Sequence, residues 1–531
     1  MDKPTLRRRI LLHPFSWIGL LLCLSIAIPI AAQEKVDLAT IERIETEAEQ
    51  HSQVMDIASW LADVFGPRLT GSPNAKAASD WAVETMRSWG LTNAHLEEWG
   101  PYDSGLANAQ WGPFNRGWTS EQFTFRAITP RPFIINAMPP VGSPSTQGRV
   151  TGPATRFDVH SLADMQRYAG KLKHAFLLLD PPRSTPAHFQ PQARRLTAAE
   201  LDADAAGQPL PRAPGEAEAT EIRYNVMDDA AALRWLAKEG VAALLLTSSG
   251  DGGMITMRGS AGTGLASVNL SAESYGRIVR ILEKHIPVTL ELEMQNTFYD
   301  DQHVFNVIAE IPGADPKLKE EVVMLGAHLD SWTFGTGATD DGAGVAMTME
   351  AMRILKALNL QPRRTIRIAL WTGEEQGALG SNAYVQRHLR DWVRHHDGEL
   401  STTKVEYDSF SVYFNLDGGT GKIRGVHQAG NVAVGPIFDA WMGPFKDLGM
   451  KTVTLSDIGG GDNHAFSRAG LPSFGFIQDP IEYTRTAHTS ADVFERLQPE
   501  DLQFNAAVVA SFAWQAAQRN EKLPRSPRLS Q

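Results

Sequence analysis

Two histidines and three acidic residues, His328, Asp340, Glu375, Asp417 and His488, are the side chains of this 531-residue chain best suited to bond-breaking chemistry. They have the composition of a site for two divalent metals, with one imidazole and one terminal carboxylate for each ion and a single carboxylate bridging the pair. Nitrogen and oxygen donors without a thiolate favour zinc, with cobalt or manganese able to substitute. Three carboxylates and a hydroxide balance two dications, so such a cluster tolerates partial burial. Two ions about 3.5–4 Å apart polarise a carbonyl and lower the pKa of a bridging water. Glu374 adjoins one of the five without being counted among them. It is placed to take that water's proton and pass it to a leaving amine.

Each signal is weak alone. His328 and Asp330 lie two apart, a spacing that suits a metal-bound imidazole whose other nitrogen is held by the neighbouring carboxylate, but most such triplets are incidental. Asp340 and Asp341, set among Gly337, Gly342 and Gly344, have the alternative of capping the next helix, and Asp341 reads as structural. Adjacent glutamates are ordinarily solvated. Here only Gly373 separates Glu374-Glu375 from the apolar run IRIALWT, where a solvated charge run is not expected.

The elements that must position these groups follow from the apolar pattern. The run 322–325 ends in His328-Leu329-Asp330, and the run 365–371 ends in Gly373-Glu374-Glu375. The run 411–416 ends in Asp417, while His488 sits in a polar loop, 484–492, before the last helix. Buried strands that stop at ionisable residues suit an open α/β sheet, whose ligands bind beyond the carboxyl ends of the strands. Strands at 304–311, 322–329, 365–371, 411–416 and 473–477 alternate with helices at 343–358, 378–390, 431–448 and 499–517, with 304–311 and 322–329 as neighbours. This predicts an α/β fold, a doubly wound mixed sheet flanked by helices. Helices are also expected at 34–52 and 75–89, joined by a turn-rich link in which Arg68 is a pocket-lining candidate.

Between 133 and 294 the texture changes to short β-rich runs at 149–151, 175–179, 241–247 and 288–294, with one clear helix at 228–239. Residues 181–220, rich in Pro, Ala and Gln, read as a long surface excursion of low order. No His or carboxylate cluster occurs there, so 133–294 reads as an inserted β-rich domain that shapes or covers its neighbour's site. The expected division is therefore a signal peptide at 1–32, the first part of the catalytic domain at 33–132, the insert at 133–294, the main catalytic part at 295–520 and a polar tail at 521–531. Asn269-Leu270-Ser271 is a glycosylation sequon if the host is a eukaryote.

Arg7, Arg8 and Arg9 precede an apolar stretch at 10–30 that ends in Ala31-Ala32-Gln33, the pattern of a secretory signal peptide. The alternative is an uncleaved membrane anchor. The only cysteine, Cys23, lies inside that stretch, so a mature chain starting near Gln33 has neither a disulfide nor a thiolate ligand. The net charge of −11 becomes more negative once the basic leader is removed, and nucleic acid is excluded as a partner.

The motifs GAHLDSWTFGTGATDDGAG, RRTIRIALWTGEEQGALGS, FNLDGG and AHTSADVFERL, in this order, resemble those of the co-catalytic dizinc exopeptidases of the aminopeptidase and glutamate carboxypeptidase superfamily. GPRLTGSPN points to the plasma glutamate carboxypeptidase subgroup. The resemblance spans about residues 50–518 and implies the zinc exopeptidase fold, with the insert as a protease-associated domain. It makes Asp340 the bridging ligand, with His328 and Asp417 completing one zinc and Glu375 and His488 the other. It also makes Glu374 the general base and Asp330 the residue that orients His328. One position departs: several relatives carry a tyrosine immediately before the last histidine, where Ala487 stands here, and His464 and Tyr483 are the candidate replacements for its hydroxyl.

The expected protein is a secreted or periplasmic metallo-exopeptidase that cleaves the terminal peptide bond of dipeptides or short peptides as an aminopeptidase or dipeptidase. It would carry two zinc ions per chain, touch a membrane only through an uncleaved leader, and have a homodimer as one possible assembly. The alternatives are a carboxypeptidase of the glutamate carboxypeptidase type and a non-catalytic receptor-like relative. The latter would have lost ligands, and all five are present.

Overall fold

The computed structural model describes residues 34–526 apart from 101–116, 209–225, 227–228, 258–263, 302, 396–397 and 458–459. The expected signal peptide therefore lies outside the described residues. No helix among the described residues is long and apolar enough to cross a membrane.

An eight-stranded mixed sheet carries the chemistry. At its centre four strands run parallel in the order Thr365–Trp371, Val322–His328, Phe410–Asn415 and Ser473–Gln478. Their side chains are buried almost without exception, which is what continuous runs such as VVMLGAH and SFGFIQ require when helices cover both faces. Val304–Ile311 flanks them antiparallel on one side, with Thr92–Gly100 antiparallel to it at the edge, and Ile423–His427 flanks them antiparallel on the other, with Thr452–Thr454 beyond it. The strands 304–311 and 322–328 are not neighbours as expected, because Thr365–Trp371 lies between them and pairs with both. Two consecutive apolar strands do not reveal that a later one inserts, since pairing order is a long-range outcome.

Helix Ala343–Ala357 combines strong helix formers with burial on nearly every side. It packs between the sheet and the closing helix Pro499–Gln518, together with helices Leu38–Gln50 and Pro73–Ser88. Leu502, Val509 and Phe512 of the closing helix are buried, as the periodicity predicts. The opposite face is covered by helices Leu379–His388 and Asn463–Ala469. Residues 431–448 do not form one helix. Gly435-Pro436 and Gly443-Pro444 divide them into short 3-10 turns around the helix Gly435–Trp441, since proline lacks the amide an interior turn needs. Gly326 is required where it stands, because a Cβ there would lie 2.5 Å from the Tyr413 hydroxyl and 2.9 Å from the Trp371 indole nitrogen.

A second eight-stranded sheet occupies residues 117–299. Its first long strand, Gly117–Thr129, precedes the expected boundary at 133 and pairs along its length with Thr289–Tyr299. Val150–Arg156, Phe176–Leu178, Ala243–Thr247 and Ser267–Leu270 follow as a parallel set. Besides the expected helix, found at Ala230–Glu239, a second one, Ala272–Leu282, packs on this sheet. The excursion at 181–220 is not wholly irregular, because Thr197 and Glu200 form a reciprocal cap that starts the helix Ala198–Ala205. Asn269 of the sequon is buried in its strand, so the folded chain does not present it for glycosylation.

Candidate metal centre

The carboxyl ends of three parallel strands deliver His328, the Gly373-Glu374-Glu375 turn and Asp417 to one crevice. The loop after His328 adds Asp340, and the segment before the closing helix adds His488. Asp340 stands at the middle. Its Oδ1 lies 3.2 Å from His328 Nε2, and its Oδ2 lies 3.1 Å from His488 Nε2. Asp417 Oδ1 is 3.7 Å from His328 Nε2, and Glu375 Oε2 is 3.0 Å from His488 Nε2. Two ligand groups result, His328-Asp340-Asp417 and Asp340-Glu375-His488, and within each the donor atoms lie within 4.8 Å of one another. All five sequence-derived ligands thus converge.

His328 is buried and its Nδ1 faces the backbone carbonyl of Asp330 at 3.0 Å, whereas the Asp330 carboxylate is 3.7 Å away. A carbonyl only accepts, so Nδ1 carries a proton, and Nε2 faces the Asp340 and Asp417 carboxylates. Burial acts downward on this imidazole, but Asp330, Asp340 and Asp417 outweigh it and hold its pKa well above the ordinary range, so a metal ion would take the place of the Nε2 proton. The carbonyl, rather than the expected carboxylate, makes the shorter contact. The carboxylate serves the neighbouring turn instead. Thr70 Oγ1 donates to Asp330 Oδ2 at 2.7 Å and accepts from Gly373 N at 2.9 Å, while Glu374 N donates to Asp330 Oδ1 at 3.3 Å. Asp330 and Thr70 together fix the backbone that carries Glu374.

Asp341 binds His328 N at 3.2 Å and Gly344 N at 3.0 Å, which ties the strand end to the start of the next helix. Asp492, absent from the sequence reading, accepts from Thr339 N at 2.6 Å, Thr339 Oγ1 at 2.7 Å and Asp340 N at 3.3 Å. Its position four residues after His488 was the available signal. Arg68 is not part of the cleft beside Asp340, Glu375 and His488. It is fully buried and donates to the carbonyls of Leu61, Leu329, Thr336 and Gly337 at 2.7–2.9 Å, gripping the loops on either side of the ligands. The Tyr483 hydroxyl donates to Asp417 Oδ1 at 3.1 Å, whereas His464 is turned to Asp457.

So many acids in one crevice repel one another, and protons absorb the conflict. Burial pushes the Glu375 carboxyl up to about 7, with Asp340 adding to the push. Burial raises Glu374 well above its ordinary range, reinforced by Asp417, Asp462 and Glu375 against the pull of His328. At His488 burial acts downward, but Glu375 and Asp340 outweigh it and hold the imidazole up at about 11. Such a set is what divalent cations satisfy. Glu375 Oε1, moreover, is buried without a hydrogen-bond partner, as a ligand oxygen would be. The residues fit two metal ions.

Residues 306–513 match the model of Peptidase family M28. The matched segment is less than half of the chain and holds all five converging residues. Carboxypeptidase Q of Mus musculus is 27% identical over 470 residues, covering 88% of this chain and 86% of that protein. Other proteins named Carboxypeptidase Q match at 32% identity over about half of their own length. Among solved structures, a Peptidase M28 precursor from Shewanella amazonensis SB2B is 26% identical, with a TM-score of 0.62 over 92% of this chain and 99% of that one. BSAP, a zinc aminopeptidase from Bacillus subtilis, is 18% identical with a TM-score of 0.54 over 88% of this chain and 95% of that one, a likeness of fold. The protein shares the mixed α/β fold of these two structures.

Proposed function

We propose that the chain is an exported exopeptidase with two zinc ions, which cleaves the terminal bond of dipeptides or short peptides as an aminopeptidase or dipeptidase. The observation that carries the two-ion reading is Asp340, whose two oxygens each meet a different imidazole. His328 and Asp417 would hold one ion, Glu375 and His488 the other, and Asp340 both. When bound, the ions polarise the scissile carbonyl and acidify the attacking water.

The chain's own groups do the rest. Glu374 takes the proton of the attacking water and delivers it to the departing amine, a transfer favoured by a carboxyl whose burial raises its proton affinity. Asp330 and Thr70 hold its backbone. Tyr483 steadies Asp417 by donating its hydroxyl to Oδ1. A cleft lined by Trp332, Gly335, Thr489 and Asp492 opens on Asp340, Glu375 and His488 and would receive the substrate end. The insert expected at 133–294, whose sheet extends over 117–299, is read as a protease-associated-like domain. Export rests on the leader at 1–32.

The name of the matching relatives favours a second reading, a carboxypeptidase. Cleavage of free, N-blocked and C-amidated dipeptides and tripeptides by the zinc-loaded protein separates the two. Loss of cleavage on N-blocking supports the first reading, and loss on amidation only supports the second. No chelator-sensitive cleavage of any of them would remove the enzyme reading in both forms.

A further inference from the structure

The segment that supplies His488 is gripped at both ends by residues of the 117–299 sheet module. Upstream, Arg194 and Ile481 exchange two backbone hydrogen bonds of 3.0 Å, and Arg195 pairs with Asp479 at 3.0 Å and with Asp501 at 2.7 Å. Downstream the contact falls on the ligand itself. Thr256 and Thr489 form an antiparallel bridge, in which Met257 N donates to the carbonyl of His488 at 3.0 Å and Ser490 N donates to the carbonyl of Ile255 at 2.9 Å. Ile255 N in turn donates to Ser490 Oγ at 2.9 Å.

Side chains repeat the connection. Ile255 and Met257 are buried in one apolar cluster with Leu69, Trp118, Trp332 and Phe334, and the Trp332 ring meets the His488 imidazole edge-on at a centroid distance of 6.3 Å. The backbone at His488 has φ of 57°, in the left-handed region that a β-carbon disfavours. A non-glycine residue stays there only when its surroundings over-determine it. Its own loop contributes Thr489 Oγ1 donating to Thr486 O at 2.7 Å and Thr489 N to the same carbonyl at 3.2 Å. The second module adds a constraint on the His488 carbonyl itself.

We propose that Met254–Met257 is a positioning element of the metal centre: through the Met257 amide and the Ile255–Ser490 pair, the 117–299 module holds His488 in the conformation that aims Nε2 at Glu375 and Asp340. The inference rests on the two-zinc reading and deepens it, because it makes the module part of the ion site rather than a cover over it. A cover alters substrate access and therefore KM. A positioning element alters the affinity of one ion and leaves the other, held by His328 and Asp417, as it was.

The test compares full-length wild type with Met257→Pro, which lacks the amide donor, Met257→Leu, which keeps it and the apolar contact, and Ser490→Ala. Zinc per chain is measured by atomic emission after equilibration at graded free zinc, and the visible spectrum of cobalt-substituted protein reports each ion's geometry. The expected result is two zinc ions in wild type and in Met257→Leu, with one site weakened on the order of tenfold or more in Met257→Pro and less in Ser490→Ala. One cobalt band should shift and the other stay. Variants with native circular dichroism and both affinities unchanged overturn the proposal. If Met257→Pro does not fold, unchanged affinities in Ser490→Ala overturn it alone. Wild type holding fewer than two ions would instead overturn the two-zinc reading, and the positioning role with it.

Discussion

In the proposed two-ion site Asp340 would serve both positions and Glu374 neither. The two therefore predict opposite failures. Asp340→Ala should lose both zinc ions together in an equilibrium titration, since each half-site forfeits a ligand. Glu374→Gln should keep two zinc ions per chain and lose turnover by about 10²-fold or more, read as kcat at saturating substrate. Sequential loss of ions in the first variant, or near-normal kcat in the second, would contradict these roles. The five converging residues were legible because His328, Glu375 and Asp417 follow apolar strands, where a solvated charge is out of place, and Asp340 and His488 sit in the polar loops beside them. Thr70, Asp492 and the buried Arg68 were not legible in their roles. They act on backbone groups far away in the chain, as when Arg68 reaches Leu329 and Gly337, and nothing local marks such a partnership. The Asp330 carboxylate was assigned to His328 from spacing, whereas the carbonyl of the same residue takes the shorter contact and the carboxylate turns to Thr70.

At the scale of elements, the parallel strands bring the ligands together and the closing helix holds the strands. Phe512 of that helix is fully buried and meets Phe414, Phe476 and Trp441 edge-on at centroid distances of 5.4–5.9 Å. Phe512→Ala should lower unfolding free energy by about 3–5 kcal/mol in denaturant titration. It should leave kcat of the zinc-loaded protein within a few fold, because Phe512 lies under the sheet rather than at its carboxyl ends. Strand and helix spans in the catalytic half were readable from periodicity because both sheet faces are covered. The outer strands Thr92–Gly100, Ile423–His427 and Thr452–Thr454 were missed. Their burial alternates or their runs are short, and they gain strand character from pairing with a formed neighbour. The helix Ala272–Leu282 was overlooked for a different reason: it sits in a stretch whose texture is otherwise β-rich.

For the whole molecule, the acid cluster makes stability depend on pH in opposite ways with and without ions. In the ion-free protein the Glu375 and Asp462 carboxyls are pushed up to about 7, and Asp492 to about 6, each chiefly by burial. The folded state therefore binds more protons than the unfolded one, and stability falls as pH rises from the ordinary carboxyl range through about 7. His488, raised to about 11, acts in the same direction: its stabilising charge is complete below about 6.5 and is lost as pH climbs toward its folded value. Metal-stripped protein should thus melt at progressively lower temperature between about pH 5 and pH 9. Zinc needs neutral imidazoles and ionised carboxylates, so its affinity, and the protection it gives, should rise over the same range. Scanning calorimetry of both forms checks this, and parallel slopes would count against the assigned cluster.

The first described helix docks on the last. Asp37 accepts from the Trp514 indole at 3.2 Å, its amide faces Gln515 Oε1 at 3.4 Å, and Ile41 and Ile44 are buried in the core that the closing helix completes. These contacts join residues almost five hundred positions apart. During synthesis, the helix Leu38–Gln50 emerges long before residues 499–518, and the part of its apolar stripe that they cover stays bare until they follow. A stop codon shortly before Phe512 would leave the helix Leu38–Gln50 without the Trp514 and Gln515 contacts that dock it.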